Sequence, residues 1–235
     1  MSSPFAYQAT ASSAVAERSY LRQVFAWMLL GLALTTGVAA YLSGTTDVSQ
    51  YFVDHRIAFW LLFAVQLGAV FGLSAAINRI SANTAALVFC LYAGLTGVFF
   101  AILFEVYTTG SIVAAFGGAT GVFGGMALYG YTTQRDLTKL GGILFGALIG
   151  LIVASIVYAF VGGGVFNLII GYLGVIIFAG LTAYDMQRIK QIGAQGITDG
   201  ETAQKLAIYG ALSLYLDFIN LVISLLRIFG GGGRS

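Results

Sequence analysis

Five residues near the C-terminus, Ser213, Asp217, Asn220, Ser224 and Arg227, follow one another at spacings of 4, 3, 4 and 3. A helix of 3.6 residues per turn places residues so spaced on one face. Their neighbours are largely Leu, Ile, Phe and Tyr, so the five form a polar stripe on an otherwise apolar helix. Asp217 is the only acid in the stripe. A carboxylate at mid-membrane costs roughly 2.5–3.5 kcal/mol even on insertion scales, and an ionisable group kept there is a functional candidate by default. The stripe is therefore expected to face a cavity or partner helices, with Ser213, Asn220, Ser224 and Arg227 lining the path beside Asp217.

A second carboxylate, Asp185, closes the preceding apolar run in Ala183-Tyr184-Asp185-Met186-Gln187. Two carboxylates at close range cannot both ionise readily, so such a pair shares a proton and titrates as a coupled unit. Ionised, the pair offers hard oxygen ligands suited to a transient Ca²⁺; protonated, it does not. There is a geometric demand. Asp217 lies about 14 residues into the last apolar run, or roughly 20 Å along a helix. The two acids meet only if the last helix starts late, near Ile208, or if the preceding helix continues past Asp185. Alone, Asp185 also reads as an ordinary helix-end carboxylate beside Arg188.

Other charged residues have plainer readings. Arg79, at the end of the second run, is a topology signal that could also serve as counter-ion to a carboxylate. Glu105 is expected at the headgroups or a pore mouth, and His55 has no assigned role. Cys90, the single cysteine, cannot form an intrachain disulfide and reads as an apolar filler. There is no GxxxxGK[ST], no HExxH and no Cys/His cluster, so neither an enzyme nor a resident cofactor is expected. Paired aspartates on consecutive spans could also serve an intramembrane aspartyl protease. Asp217 sits in Tyr215-Leu216-Asp217-Phe218, without the Gly-x-Gly that lets a substrate backbone approach.

These side chains need apolar helices to hold them. Of 235 residues, 59% are hydrophobic and 9% charged, with a mean hydropathy of +0.91. Soluble domains carry about 25% charged residues, so this chain lacks the polar surface to face water all round. Spanning takes about 20 apolar residues, and candidate spans fall at 24–43, 57–77, 84–104, 112–131, 140–160, 165–184 and 203–229. The expected architecture is an all-α membrane protein of seven transmembrane helices. It has an N-terminal segment (1–23), one transmembrane domain (24–229) and a flexible tail (230–235). No cleavable signal peptide is evident, because the first run is long enough to span.

If the N-terminus is cytoplasmic, Arg18, Arg22, Arg79, Arg135, Lys139, Arg188, Lys190 and Lys205 lie inside, eight of the eleven basic residues. A net charge of +2 gives no reason to expect nucleic acid. The partners expected are the lipid bilayer and other membrane proteins. Gly68 and Gly72, Gly117 and Gly121, and Gly142, Gly146 and Gly150 fall at small-xxx-small spacing, which predicts close helix packing within the bundle.

Three stretches carry a resemblance to a known family. They are Met126-Ala127-Leu128-Tyr129-Gly130-Tyr131-Thr132-Thr133-Gln134-Arg135-Asp136-Leu137, then Phe178-Ala179-Gly180-Leu181-Thr182-Ala183-Tyr184-Asp185, and the run from Leu206 to Leu221 that contains Tyr209-Gly210 and Asp217-Phe218-Ile219-Asn220. The chain resembles the Bax inhibitor-1 family, in its bacterial branch, from Arg18 to Phe229. That resemblance implies six helices around a central seventh and a pH-sensitive calcium leak of the inner membrane. It also implies that Asp185 and Asp217 are a hydrogen-bonded pH-sensing pair, and that Arg79 is the nearest match to a latch on them. It further implies a late start for the seventh helix. Some relatives carry an acid in the second span where this chain offers only Gln66, which leaves an outer acid–base gate with Arg227 without its acid. A membrane interaction protein that modulates a protease or stress response is the rival reading.

Overall fold

The computed structural model describes residues 4–45, 47–77, 79–196 and 199–230, with side chains from Val15 onward. The glycine tail 231–235, read from the sequence as flexible, lies outside the described residues. The single proline, Pro4, sits at the first helical position, where its missing N–H costs nothing. No later proline interrupts a helical ladder. Among the described residues there are eight helices: α1 (Pro4–Thr45), α2 (Val48–Asp54), α3 (Arg56–Ala76), α4 (Ala82–Val106), α5 (Thr109–Thr132), α6 (Thr138–Val161), α7 (Gly164–Ala194) and α8 (Gly200–Phe229). Seven of them, all but α2, are long and apolar enough to cross a membrane. The chain is a multi-pass, all-α membrane protein.

Two boundaries differ from the sequence reading, and both matter. The sixth span does not end at 184: α7 continues nine residues past Asp185, to Ala194. The seventh does not start late: α8 is one uninterrupted helix from Gly200. At 1.5 Å per residue α8 is about 45 Å long, more than the roughly 30 Å of a hydrocarbon core. Two thirds of its most apolar window (67%) is buried, against 39% or less for every other span.

The short helix α2 had no counterpart in the sequence reading. Asp47 caps it, accepting from the Gln50 N–H at 2.9 Å. Glu105, at the end of α4, accepts from the Val48 and Ser49 N–H groups at 3.2 and 2.8 Å. Glu105 thus satisfies helix-end donors.

The chain divides into two units. The first comprises α1–α4 as far as Glu105, with Ile189–Leu212. In it the Thr35 hydroxyl of α1 donates to the Ala93 carbonyl of α4 at 2.9 Å. One turn on, a methyl at Gly97 would lie 2.7 Å from the Thr35 carbonyl oxygen. The second unit comprises Val106–Arg188 and the residues from Ser213. Here close approach rests on glycine again, but not at the expected positions. A Cβ at Gly130 would collide with the Ala183 carbonyl, and one at Gly141 would come within 2.6 Å of the Tyr184 ring. Gly171 and Gly174 bring α7 against Ser224 of α8. By contrast, a Cβ at Gly68, Gly72, Gly117, Gly121, Gly142, Gly146 or Gly150 would meet no atom within 4 Å. Those regularly spaced glycines do not pack helices together; the irregularly spaced ones do.

Candidate functional site

Asp185 and Asp217 both belong to the second unit. Both are buried, with 7% and 4% of their surface exposed, and the two carboxyl groups are near enough to act on one another electrostatically. Their meeting follows from the extension of α7. With nine helical residues beyond it, Asp185 is well inside the helix rather than at its end.

Thr182 completes the group. It lies one turn before Asp185 on the same face of α7 and is fully buried. Its hydroxyl donates to the Phe178 carbonyl at 2.7 Å and is near enough to act on the Asp217 carboxyl. The second carboxyl oxygen of Asp217, Oδ2, is buried with no hydrogen-bond partner among the described residues. On α7, Arg188 acts on Asp185. Next to Asp217 on α8, Phe218 packs edge-on against Phe123 of α5 at 5.6 Å, so the wall on that side is aromatic.

The α7 backbone at this point is gripped from two sides. Gly130 of α5 touches Ala183, and Gly141 of α6 touches Tyr184, the two residues immediately before Asp185. Two residues after it, the buried Gln187 side chain accepts from the Leu137 N–H at 2.9 Å and donates to the Arg135 carbonyl at 2.8 Å. That pair of bonds ties the turn between α5 and α6 to α7. An amide is suited to this because it offers a donor and an acceptor together.

The other stripe residues are buried or half-buried. Ser213 is half-buried. Asn220 turns back onto its own helix, donating to the Leu216 carbonyl at 2.8 Å, and Ser224 is buried against Gly174. Arg227 donates from Nη1 to Asn167 Oδ1 at 3.1 Å, and its guanidinium lies 5.7 Å from the centre of the Tyr158 ring. It also interacts with the Tyr107 phenol, whose pKa burial pushes up while Arg227 draws it down. These partners are neutral. Arg79 belongs to the first unit, where it is exposed in the turn after α3 and its backbone N–H bonds the Ala76 carbonyl at 2.7 Å. Among the described residues, no three His, Cys, Asp or Glu side chains converge as a metal-ligand set.

The model of a family described as "Inhibitor of apoptosis-promoting Bax1" matches residues 17–234. The chain belongs to this family, the Bax inhibitor-1 family. Its relatives include the "Inner membrane protein YbhL" of Escherichia coli K12, 45% identical over 91% of this chain and 92% of that one. An uncharacterized protein of Borreliella burgdorferi is 42% identical over the same shares of the two chains. Another, of Deinococcus radiodurans, is 39% identical over 90% of each chain.

The stretches that carry the Bax inhibitor-1 resemblance meet in this member at one place. Gly130 of the first stretch packs on Ala183 of the second, and Asp217 of the third is near enough to Thr182 and Asp185 of the second to feel both. Sequence reading found the two acids through their apolar surroundings. It missed Thr182, Gln187 and Asn167, polar residues that leave no mark in a composition window. The Thr182–Asp185 spacing of three was the available signal for the first of these.

Proposed function

We propose that this protein is a pH-sensitive calcium leak channel of the bacterial inner membrane, with Asp185 and Asp217 as proton sensor and ion gate. The observation that carries the reading is a pair of buried carboxyl groups on two membrane-spanning helices, near enough to act on one another, one with an oxygen unpartnered among the described residues. Burying two acids together is costly, and a site of structure alone would gain stability from apolar replacements. A site that must exchange protons and admit a cation needs them. Among the described residues no third acidic ligand joins the two carboxylates, which suits a passing Ca²⁺ better than a resident one, since tight sites gather six to eight oxygens.

The inner-membrane placement is supported by the name of the Escherichia coli relative, and a cytoplasmic N-terminus by the distribution of Lys and Arg. In this reading Ser213, Asn220, Ser224 and Arg227 flank the conduction path. The six-around-one arrangement is part of the same proposal, and the burial of α8 supports it.

The test is calcium flux into liposomes holding the purified protein, scanned from about pH 5 to 8, where a proton-sharing pair would titrate. The wild type should show flux that changes with pH, and Asp185→Asn and Asp217→Asn should each abolish that change. Absence of flux above empty liposomes, with the protein shown to be folded, would overturn the channel reading.

A further inference from the structure

Arg227 lies in the last turn of α8, where a long basic side chain ordinarily extends over the apolar surface toward the headgroups. Its guanidinium instead turns onto the neighbouring helices. Nη1 donates to Asn167 Oδ1 of α7 at 3.1 Å, and the group stands 5.7 Å from the centre of the Tyr158 ring of α6. Tyr107 closes over the same end of α8, since a Cβ at Gly230 would collide with its ring. These four residues are half-buried, and all belong to the second unit. Among the described residues no acidic side chain pairs with Arg227. The cluster is also rich in donors and poor in acceptors. The guanidinium has N–H groups beyond the one given to Asn167, and the Asn167 amide keeps Nδ2. Neither these nor the two phenol hydroxyls are hydrogen-bonded among the described residues. A half-buried cation held only by neutral groups is costly. The carbonyl end of α8 supplies about half a negative charge, and the positive end of α7, whose first turn carries Asn167, offsets it.

What completes such a cluster is an anion with several acceptor oxygens around one centre. We propose that Arg227, Asn167, Tyr107 and Tyr158 form a binding site for one phosphate group, carried by an anionic phospholipid. The guanidinium fork matches two phosphate oxygens, and the Asn167 amide and the phenols supply further donors. The depth suits a headgroup. Arg227 and Asn167 stand near the ends of their helices, and tyrosines at such ends lie at headgroup level. The stretch that joins Tyr158 to Asn167 carries Phe160, Val161 and Val165, which are 77%, 74% and 74% exposed. Apolar residues so placed suit acyl chains, which favours a lipid over free phosphate. Asp217 is about 15 Å away along α8, so the site does not depend on whether the carboxylate pair gates an ion.

The experiment is native mass spectrometry of the purified full chain in a neutral detergent. The protein is titrated with phosphatidylglycerol, with phosphatidylcholine, whose choline offsets the phosphate charge, or with inorganic phosphate. The wild type should bind one phosphatidylglycerol about tenfold more tightly than phosphatidylcholine. Arg227→Gln should weaken phosphatidylglycerol binding by about 10- to 100-fold, the scale of charge-assisted hydrogen bonds, and leave phosphatidylcholine binding where it was. Tyr107→Phe keeps the ring on Gly230 and loses the hydroxyl, and should weaken phosphatidylglycerol binding by about 2- to 10-fold. It carries the test if Arg227→Gln does not fold. Arg56→Gln removes an exposed cation at the start of α3 and should bind as the wild type does. A wild type without the preference, or a preference that survives in Arg227→Gln and Tyr107→Phe, overturns the proposal. An equal loss in Arg56→Gln would show general attraction to a basic surface and overturns it as well. Inorganic phosphate that binds as tightly as phosphatidylglycerol, and is lost in Arg227→Gln, would keep the phosphate site and overturn its lipid source.

Discussion

Asp217 announces itself because everything around it is apolar; a lone acid in such a helix has no cheap explanation. Arg227 was harder to place from sequence, since its partners come from the turns and helices before α8 and only the folded chain brings them in. Asn167 and the Tyr158 face hold it. Asn167→Ala should leave a half-buried guanidinium donor without its acceptor and cost about 1–3 kcal/mol, read as a lowered Tm in detergent, while Asn167→Asp should keep the fold. Outside the membrane, Asp199 caps α8, accepting from the Thr202 N–H at 2.9 Å. The Thr202 bonds hold its carboxyl below the usual carboxylate range. The sign follows: a depressed pKa means the cap contributes above about pH 3.9 and is lost as pH falls through the lower folded value. The protection of amides in the first turn of α8 against hydrogen exchange, taken relative to the intrinsic rate at each pH, should fall on acidification in the wild type, and this step should be absent in Asp199→Asn.

At the scale of elements, periodicity gave seven spans because hydrophobic runs of membrane length are a strong signal. It could not give the helix ends, and the ends decide whether Asp185 and Asp217 meet. The residues 185–194 contain Asp185, Gln187, Arg188, Lys190 and Gln191, so hydropathy falls away where the helix continues. Nor could spacing tell which glycines pack. Regular four-residue spacing marked Gly142, Gly146 and Gly150, which face open space, whereas Gly130 and Gly141 grip α7 beside the carboxylates. Gly130→Ala would drive a methyl into the Ala183 backbone and should destabilise by about 1–3 kcal/mol, as overpacking does, and disturb the pH response with it. Gly142→Ala should leave both unchanged. Equal melting temperatures for the two variants would contradict this account of the packing.

At the scale of the whole molecule, composition alone excluded a soluble domain and placed the chain in a bilayer. The direction of insertion rests on Lys and Arg in the connections. In a Cys90→Ser background, Thr45→Cys should react with a membrane-impermeant maleimide added outside spheroplasts, and Thr133→Cys should react only after lysis. The reverse pattern would invert the topology and place Asp185 toward the opposite face. What a sequence without a ligand motif cannot carry is the activity itself, because a gate of two aspartates differs from a structural pair only in whether protons and ions exchange there.

The central claim is that Asp185 and Asp217 act as one proton-sharing unit controlling calcium passage. The most direct measurement is a double-mutant cycle on the pH dependence of calcium flux in liposomes, using Asp185→Asn, Asp217→Asn and the double variant. A shared unit predicts that each single change removes the whole pH response and that the double variant behaves like either single one. Independent, additive partial losses, or a pH response that survives in the double variant, would contradict it.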